Sequence, residues 1–483
     1  MRHARTAYYL ALVEEAEAHL AGAAQGVWLA RLEAEHDNVR VSLRNTLEAG
    51  EHETAVRLVG AFWRFWSIRG YLTEGRRWME RALEQADGVL PPLRAKALDG
   101  LGALLRAQGD EATARMRYEE ALAIRRASGH RAGIAHSLSN LAGMARDGGD
   151  FDAARTGYEE ALAIRRTLGD SEAVARTLIN LGILAQRQGD DATARARYEE
   201  SLAIARERGH TQAVAHALTN LGVVAQQRGD YATARARYEE SLSAGRAMDD
   251  TAAIGFALNN LGAVAWQQGD LTAARSFYEQ SLALRRALGD MRQIAFSLTN
   301  LGNVAREQGD LAAARTYYNE CLTIRRELGD PRALPFALNN VAIVARQQGE
   351  YVTARTAYQE SLACSQQLDD PRGIAEALEG LAALAGIEGD GARAARLWGV
   401  VETFRTAQSL PRVPVDQTRY ARDLAAARAA TDASAWDAAW SEGISLSLKE
   451  AIALISAAPE AATTRRPPPP GIPDFVPQPS TPS

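Results

Sequence analysis

The chain has few residues of two chemically useful kinds. Its 483 residues include only two cysteines, Cys321 and Cys364, which are too few for a disulfide framework and are predicted on helices of successive repeats. We therefore expect unpaired thiols in a reducing compartment. Only two lysines occur, Lys96 and Lys449, and neither is preceded by the glycines of a phosphate-binding loop. A nucleotide-hydrolysing activity of that type is excluded.

Long apolar runs and a strong charge imbalance are also missing. The apolar run from Ala7 to Val13 is interrupted by Glu14, Glu15 and Glu17 before a secretory signal or a membrane span could form. A net charge of -5 leaves no basic footprint for nucleic acid. We predict a cytoplasmic protein without direct binding to nucleic acid or membrane.

What the chain has instead is a repeat of 40 residues, with eight copies in register from residue 91 to about residue 408. The period is marked by a leucine column and a glycine column, Leu98, Leu138, Leu178, Leu218, Leu258, Leu298, Leu338 and Leu378, and Gly109, Gly149, Gly189, Gly229, Gly269, Gly309, Gly349 and Gly389. A fixed period of this length indicates a solenoid, in which each unit buries its apolar face against its neighbours.

The third repeat shows how one unit folds. Apolar residues at helical spacing predict helices over 173–188 and 191–207. Gly189 ends the first helix in the left-handed conformation, and Asp190 caps the second. His130 and His210 take the place of the capping aspartate elsewhere, and we predict that they cap as well.

Small residues recur inside both helices. The first helix carries glycine or alanine in a column that includes Gly182, and every repeat has alanine twelve residues later, as at Ala194. Glycine inside a helix costs about 1 kcal/mol relative to alanine. We therefore predict that these small residues face each other and let the two helices approach closely.

The spacing of Leu101, Gly102, Ala114, Tyr118 and Ala121 resembles that of the tetratricopeptide repeat (TPR), and it recurs down the copies. The repeat is longer than the usual one, and with Asn260-Leu261 and Ala283-Leu284-Arg285-Arg286 it resembles most the kinesin-light-chain type. Leu98 and Arg126 depart from the aromatic and the proline of the common pattern. The resemblance implies an all-α fold, a right-handed superhelix (α-solenoid) whose first helices line a concave groove.

This resemblance and the composition predict five regions. We expect about eight 40-residue helix-turn-helix repeats with helical caps at both ends, divided as an N-terminal cap of two helices at 1–53, a degenerate repeat at 54–90, the eight repeats at 91–410, a C-terminal helical cap at 411–460 and a disordered proline-rich tail at 461–483. A proline-rich docking segment is the alternative for the tail.

An aromatic cluster crowds the first helix of the degenerate repeat, Phe62, Trp63, Phe65 and Trp66. A solenoid must cover its exposed apolar end, so we interpret the cluster as cap and core. The alternative is a ligand pocket.

The flanks resemble the C-terminal arm of bacterial LuxR-type and signal-transduction ATPase transcription regulators. The resemblance is carried by Trp28 to Asn38, Gly75-Arg76-Arg77-Trp78, Ala395-Arg396-Leu397-Trp398-Gly399 and Ala439-Trp440-Ser441-Glu442-Gly443. In that family the region is a superhelical sensor arm. The phosphate-binding loop and a helix-turn-helix after residue 460 are missing, so the chain resembles the arm alone, and sensing of a small ligand is the alternative function.

An asparagine column lies on the first helices beside the apolar stripe, Asn140, Asn180, Asn220, Asn260, Asn300 and Asn340. An asparagine amide can bond both the N–H and the C=O of an extended peptide, whatever the peptide's sequence. We predict that this ladder holds a peptide backbone in the groove. The alternative, equally weighted, is that each amide bonds to a neighbouring helix or to its own turn.

Residues that vary on the same face are expected to set specificity. Its N-terminal half is cationic, with Arg106, Arg146 and Arg176, and its later half carries Phe256, Trp266, Phe296 and Phe336. We predict a protein or peptide partner with an acidic part and an apolar part. The alternative for the phenylalanines is that they fill gaps between helices.

Chemistry that would break the repeat symmetry is not evident. The recurring glutamates and arginines fit solvated faces, and His136 and His216 are too far apart for one metal ion. We predict a non-enzymatic binding protein without cofactor or metal, with an unusual enzyme as the least favoured alternative.

Overall fold

A computed structural model of the chain describes residues 2–20, 24–86, 88–412 and 414–456, and within these residues the ordered elements are 24 helices without a strand. The all-α prediction is confirmed. The predicted tail at 461–483 lies outside the described residues. Within the described residues, no helix combines the length and apolar character needed to cross a membrane.

The N-terminal region has one helix more than predicted. It consists of α1 Arg2–His19, α2 Gln25–Ala34, α3 His36–Glu48, α4 His52–Arg69 and α5 Leu72–Glu84. The predicted second helix breaks at Glu35, whose carboxylate accepts hydrogen bonds from Tyr9 Oη at 3.0 Å and Asn38 Nδ2 at 2.6 Å. The break turns His36 into the aromatic cluster, where it is 5 % exposed.

Sixteen helices occupy the eight predicted repeats. They are α6 Pro91–Ala107, α7 Glu111–Ala127, α8 Arg131–Asp147, α9 Phe151–Leu168, α10 Ser171–Arg187, α11 Asp191–Arg208, α12 Thr211–Gln227, α13 Tyr231–Ala247, α14 Thr251–Gln267, α15 Leu271–Leu288, α16 Met291–Glu307, α17 Leu311–Glu327, α18 Leu334–Gln347, α19 Tyr351–Gln367, α20 Pro371–Ile387 and α21 Gly391–Ala407. The helix pair of the third repeat matches its prediction to within two residues at each end.

Three helices follow the last repeat, α22 Pro414–Ala429, α23 Ala433–Ser445 and α24 Leu448–Ser456. Before α24, the Glu450 carboxylate accepts the Ser447 N–H at 2.8 Å, and Ser447 Oγ accepts the Glu450 N–H at 3.3 Å. This reciprocal pair is a capping box. Contacts divide the chain into two compact units, Met1–Glu350 and Tyr351–Ser483.

The turns inside each repeat follow the predicted chemistry, with one correction. Gly189 has φ of +77°, and the Asp190 carboxylate accepts the Thr193 N–H at 3.0 Å. The prediction that His130 and His210 cap in the same way was wrong, because neither side chain bonds to its helix N-terminus. His210 Nε2 instead lies 2.8 Å from Ser171 Oγ.

The small residues permit close approach, but not to each other. A Cβ at Gly182 would collide with the ring of Tyr198, and Gly222 and Gly262 face Tyr238 and Tyr278 in the same way. The expected alanine partner is therefore replaced by a buried tyrosine from the second helix. The ring occupies the space that the missing methyl group leaves, which explains why glycine is used despite its cost in a helix.

Within residues 2–350 the chain also touches itself over a long sequence distance. Helix α2 contacts α15, and helix α4 contacts α16. The guanidinium of Arg292 donates to the carbonyl of Ala107, which is 185 residues away in the sequence, at 3.0 Å. Arg332 pairs with Glu111 at 3.2 Å. The edge of the first repeats therefore lies against the edge of the fifth to seventh.

Candidate functional site

The first helices of successive repeats form one continuous surface. Within residues 2–350, α8 contacts α10, α10 contacts α12 and α12 contacts α14, whereas second helices are bridged by long ion pairs such as Arg166 to Glu200 at 2.7 Å. Helices on the inside of a curved stack lie closer together than those on the outside. We call the solvent-facing side of the first helices α6 to α18 the inner wall.

The inner wall begins next to α1. Lys96 pairs with Glu17 of α1 at 2.5 Å. The same repeat position on the next three first helices carries His136, Arg176 and His216, and these residues are exposed. Surface available to a partner therefore starts in the second repeat.

The asparagine row is present on this wall, but its amides are not equivalent. Asn220 Nδ2 donates to the His216 carbonyl of its own helix at 2.8 Å, and Asn300 Nδ2 donates to Asn259 Oδ1 at 3.0 Å. Asn140 lies 3.5 Å from Asp99, and Asn340 is only 8 % exposed.

Asn180 and Asn260 differ from the three bonded amides. Both are half-buried, and neither side chain has a hydrogen-bond partner within the described part of the chain. Internal bonds thus occupy three amides of the row, whereas Asn340 Nδ2 is buried without a partner.

The predicted cations Arg106 and Arg146 converge on one carboxylate. Arg146 Nε donates to Asp147 at 3.0 Å, Arg106 also bonds to it, and Arg187 lies 3.4 Å away. Burial alone would raise the pKa of Asp147, but the hydrogen bond from Arg146 and the charges of the three arginines lower it. Three guanidinium groups around one carboxylate leave an excess of positive charge.

Further arginines, which sequence analysis missed, reach the inner wall from the second helices. Arg125 Nη2 pairs with Asp99 at 2.6 Å, and Arg165 Nη2 donates to the Ala135 carbonyl at 3.3 Å. Burial and the nearby charge of Arg176 lower the pKa of Arg165. The sequence feature that could have revealed them is one repeat position at which arginine alternates with small residues: Arg125, Arg165, Ala205, Gly245, Arg285, Arg325, Ser365 and Arg405.

Two histidines sit in the cationic half. The side chain of His136 is 57 % exposed, yet the wall surrounds it and desolvation lowers its pKa, with Arg125, Arg165 and Arg176 adding to the effect and Asp99 opposing it. His216 shows the same direction, by desolvation and by Arg176, against Asp250. Both rings are therefore kept neutral at neutral pH.

The later half carries exposed aromatic rings. Phe256, Phe296 and Phe336 are 42 %, 46 % and 50 % exposed, so they do not simply fill gaps between helices. Trp266 is less available, because its Nε1 donates to Glu307 of the next first helix at 2.6 Å.

The N-terminal aromatic cluster belongs to the core. Phe62, Phe65 and Trp66 have no exposed surface, and the two phenyl rings stack with centroids 4.6 Å apart. These rings fill the space between α3, α4 and α5 and therefore leave no pocket among themselves. In the described residues, no group of three or more histidine, cysteine or acidic side chains could hold a metal ion.

The comparisons with known proteins agree with this architecture. The sequence profile described as tetratricopeptide repeat matches residues 68–127, 133–207, 186–247 and 250–327, more than half of the chain, and a second profile of the same description matches residues 337–368. Proteins with such repeats generally bind other proteins. No curated protein matches the chain significantly.

Three solved structures are similar to the chain. BtubC (BKLC) from P. vanneervenii has 26 % identity over 46 % of this chain and 91 % of its own, with a TM-score of 0.38. A Rap protein complexed with competence and sporulation factor has 14 % identity over 72 % of this chain and 98 % of its own, with a TM-score of 0.48.

The third is a signal transduction ATPase with numerous domains, with a tetratricopeptide repeat sensor, from Pyrococcus horikoshii. It has 15 % identity over 73 % of this chain and 52 % of its own, with a TM-score of 0.48. The TM-scores of all three structures are below 0.5.

Proposed function

The chain belongs to the tetratricopeptide repeat family, and from that premise we propose that its inner wall binds an extended protein segment with an acidic part and an apolar part. The observation that carries this proposal is the row Phe256, Phe296 and Phe336, three large rings exposed at a spacing of one repeat. Aligned apolar surface that stays in contact with water marks an interaction site, and aromatic anchors contribute much of the energy of such interfaces.

The charge on the N-terminal half supports the acidic part of the partner. Arg106, Arg146 and Arg187 share Asp147, and Arg176 extends into solvent with 60 % of its side chain exposed. Excess positive charge inside a concave wall attracts and orients an acidic segment.

The available amides support the extended conformation of the partner. Asn180 and Asn260 lie on the same wall, and each can donate to and accept from one peptide unit. Asn140, Asn220 and Asn300, whose bonding capacity is partly used internally, and Asn340, whose Nδ2 is buried without a partner, complete the proposed row.

A peptide array tests the proposal. The triple variant Phe256→Ser, Phe296→Ser and Phe336→Ser should fold normally, because the rings are exposed, and should lose about tenfold or more in affinity for acidic-apolar peptides. The matched control replaces Met116 and Leu168 by serine, since both are exposed on second helices, at 56 % and 44 %. Equal peptide capture by the wild type and a folded triple variant would contradict the proposal.

We propose further that these repeats act as the sensing arm of a transcription regulator. In support, segments that carry that resemblance interlock: Arg396 of α21 pairs with Glu442 of α23 at 2.6 Å, and a Cβ at Gly399 would lie 2.7 Å from the Trp440 carbonyl oxygen. Such close packing fits a terminal structural unit of the kind found in those arms.

Crosslinking the purified chain in its native lysate tests this second step. Mass spectrometry should identify a partner that carries a phosphate-binding loop or a DNA-binding domain. Reproducible crosslinks from the inner wall only to proteins without either domain would count against the regulator arm and leave segment binding intact.

A further inference from the structure

Five repeats place an arginine near the end of the second helix, at Arg125, Arg165, Arg285, Arg325 and Arg405. Arg125, Arg165 and Arg285 insert their side chains between the first helix of their own repeat and the first helix of the next repeat. Arg125, for example, bonds to Asp99 of α6 on one side and to Ser137 of α8 on the other, at 2.6 and 2.5 Å. All five arginines occupy the same position of the 40-residue repeat.

Most of these arginines are bonded to acceptors of the chain itself. In two of them the partner is a carboxylate 26 residues earlier: Arg125 pairs with Asp99 at 2.6 Å, and Arg405 pairs with Glu379 at 2.7 Å. Arg325 uses Asp330 at 3.0 Å. Arg165 lacks a carboxylate, but both of its terminal nitrogens have hydrogen-bond acceptors.

Arg285 is the exception. The residue 26 positions earlier is Asn259, a neutral amide whose oxygen accepts from Asn300. Nη1 of Arg285 donates to Ser297 Oγ at 2.6 Å and to the Gln293 carbonyl at 3.1 Å, while Nη2 is buried without a partner. A buried guanidinium nitrogen without an acceptor is costly. Arg285 is 2 % exposed, and burial lowers its pKa to about 10, although the nearby charge of Asp290 acts in the opposite direction.

Two rings of the inner wall cover this guanidinium. Its central carbon lies 5.3 Å from the ring centroid of Phe256 and 5.8 Å from that of Phe296. Both rings are partly in solvent. Binding at Nη2 therefore requires at least one of the rings to move aside.

We propose that Arg285 binds a carboxylate of the segment held on the inner wall, between Phe256 and Phe296, and that this carboxylate supplies the negative charge that Asp99 supplies to Arg125. This inference rests on the proposed segment binding and makes it more specific. The apolar half of the groove then requires one negative charge flanked by apolar groups. The carboxylate comes from an acidic side chain or from the chain terminus of the partner.

Small probes test the site without knowledge of the partner. Acetyl-Glu-Phe-amide carries a side-chain carboxylate, acetyl-Phe carries a terminal one, and acetyl-Gln-Phe-amide is the neutral reference. By calorimetric titration the wild type should bind at least one carboxylate probe about tenfold or more tightly than the reference, as a charged hydrogen bond of about 1.5 to 3 kcal/mol implies. The better of the two identifies the source of the carboxylate.

The variant Arg285→Met with Ser297→Ala should abolish this preference, and Arg195→Met, which removes an exposed charge from the second helix α11, should retain it. Absence of a carboxylate preference in the wild type overturns the inference, as does equal loss in the Arg195→Met control. Segment binding itself is judged separately, by the phenylalanine triple variant on the array.

Thermal unfolding separates a binding role from a structural one. The Arg285→Met/Ser297→Ala protein should keep or increase its Tm, because a buried group without a carboxylate partner has been removed. The matched variant Arg125→Met/Ser137→Ala removes the closest cation of Asp99 and leaves this buried carboxylate only His136 and Asn140, each at 3.5 Å, so its Tm should fall by about 4 °C or more. An equal fall in both variants would show that Arg285 is only structural and would overturn the inference.

Discussion

Single residues on the inner wall are tuned by their surroundings more than by their type. His136 and His216 occupy equivalent positions two repeats apart, and the pKa of each is lowered by desolvation and by neighbouring arginines. In the unbound protein the neutral imidazole is therefore favoured. A bound carboxylate would reverse the balance, because it stabilises the charged imidazolium.

This reversal predicts that binding of an acidic segment takes up protons. Affinity should rise as the pH falls from 7.5 to 5.5, by at most about tenfold per histidine for each unit by which its pKa rises. Folding stability has the opposite pH dependence. The pKa of both histidines is lowered in the unbound folded state, which therefore binds fewer protons than the unfolded state just below the ordinary histidine pKa. The free energy of unfolding therefore decreases as the pH is lowered. Fluorescence anisotropy with an acidic peptide from the array measures the affinity.

The control for this pH dependence uses a histidine elsewhere. His136→Gln with His216→Gln should flatten the affinity profile, whereas His210→Gln should leave it unchanged, because His210 lies in a turn and bonds to Ser171. A profile that is the same in the wild type and the double variant would show that the two histidines do not contact the bound charge.

At the scale of helices, local chemistry explains what could be predicted from the sequence. The 40-residue period, the left-handed glycines such as Gly189 and the capping aspartates such as Asp190 act within a few residues, so helix ends in the repeats were predictable. The break at Glu35 was not, because its bonds to Tyr9 depend on how α1 packs.

The candidate site was less predictable for the same reason. The places of Phe256 and Asn180 on the first helices followed from periodicity, but the exposure of Phe256 did not, because filling a gap between helices was the alternative. The pairing of Arg106 with Asp147, 41 residues on, depends on the lateral offset between neighbouring first helices, which the period alone does not give. The same offset recurs in Gln186 to Gln227 at 2.6 Å and in Trp266 to Glu307.

Contacts between distant repeats were not predictable at all. Leu168, Leu288 and Leu328 occupy the same repeat position, but Leu168 is 44 % exposed while Leu288 and Leu328 are 5 % and 4 % exposed. The difference arises because Leu288 and Leu328 pack near Gly26 and Gly70 of the N-terminal helices. One sequence motif thus has two environments, depending on which edge of the solenoid lies opposite.

These contacts join the N-terminal helices and the first repeat to the fifth, sixth and seventh repeats. They therefore stabilise the curvature of the inner wall between these repeats. Leu328→Asp should open these contacts, because a charge would replace a buried side chain whose burial contributes about 1.5 to 3 kcal/mol. We expect a larger radius of gyration by small-angle X-ray scattering, with helix content unchanged by circular dichroism. Leu168→Asp, at the exposed equivalent position, should change neither quantity.

A chemical distance measurement on the same edge gives a direct reading. Glu111 and Arg332 form an ion pair across the contact, so cysteines at both positions, in a chain without Cys321 and Cys364, should be joined by a short bis-maleimide. The Leu328→Asp change should slow that reaction by about tenfold or more, since opening the contact separates the two edges. If the crosslinking rate were the same with Leu328 and with aspartate, the leucine would not hold the edges together, and the curvature of the inner wall would have to be maintained by the repeat-to-repeat packing alone.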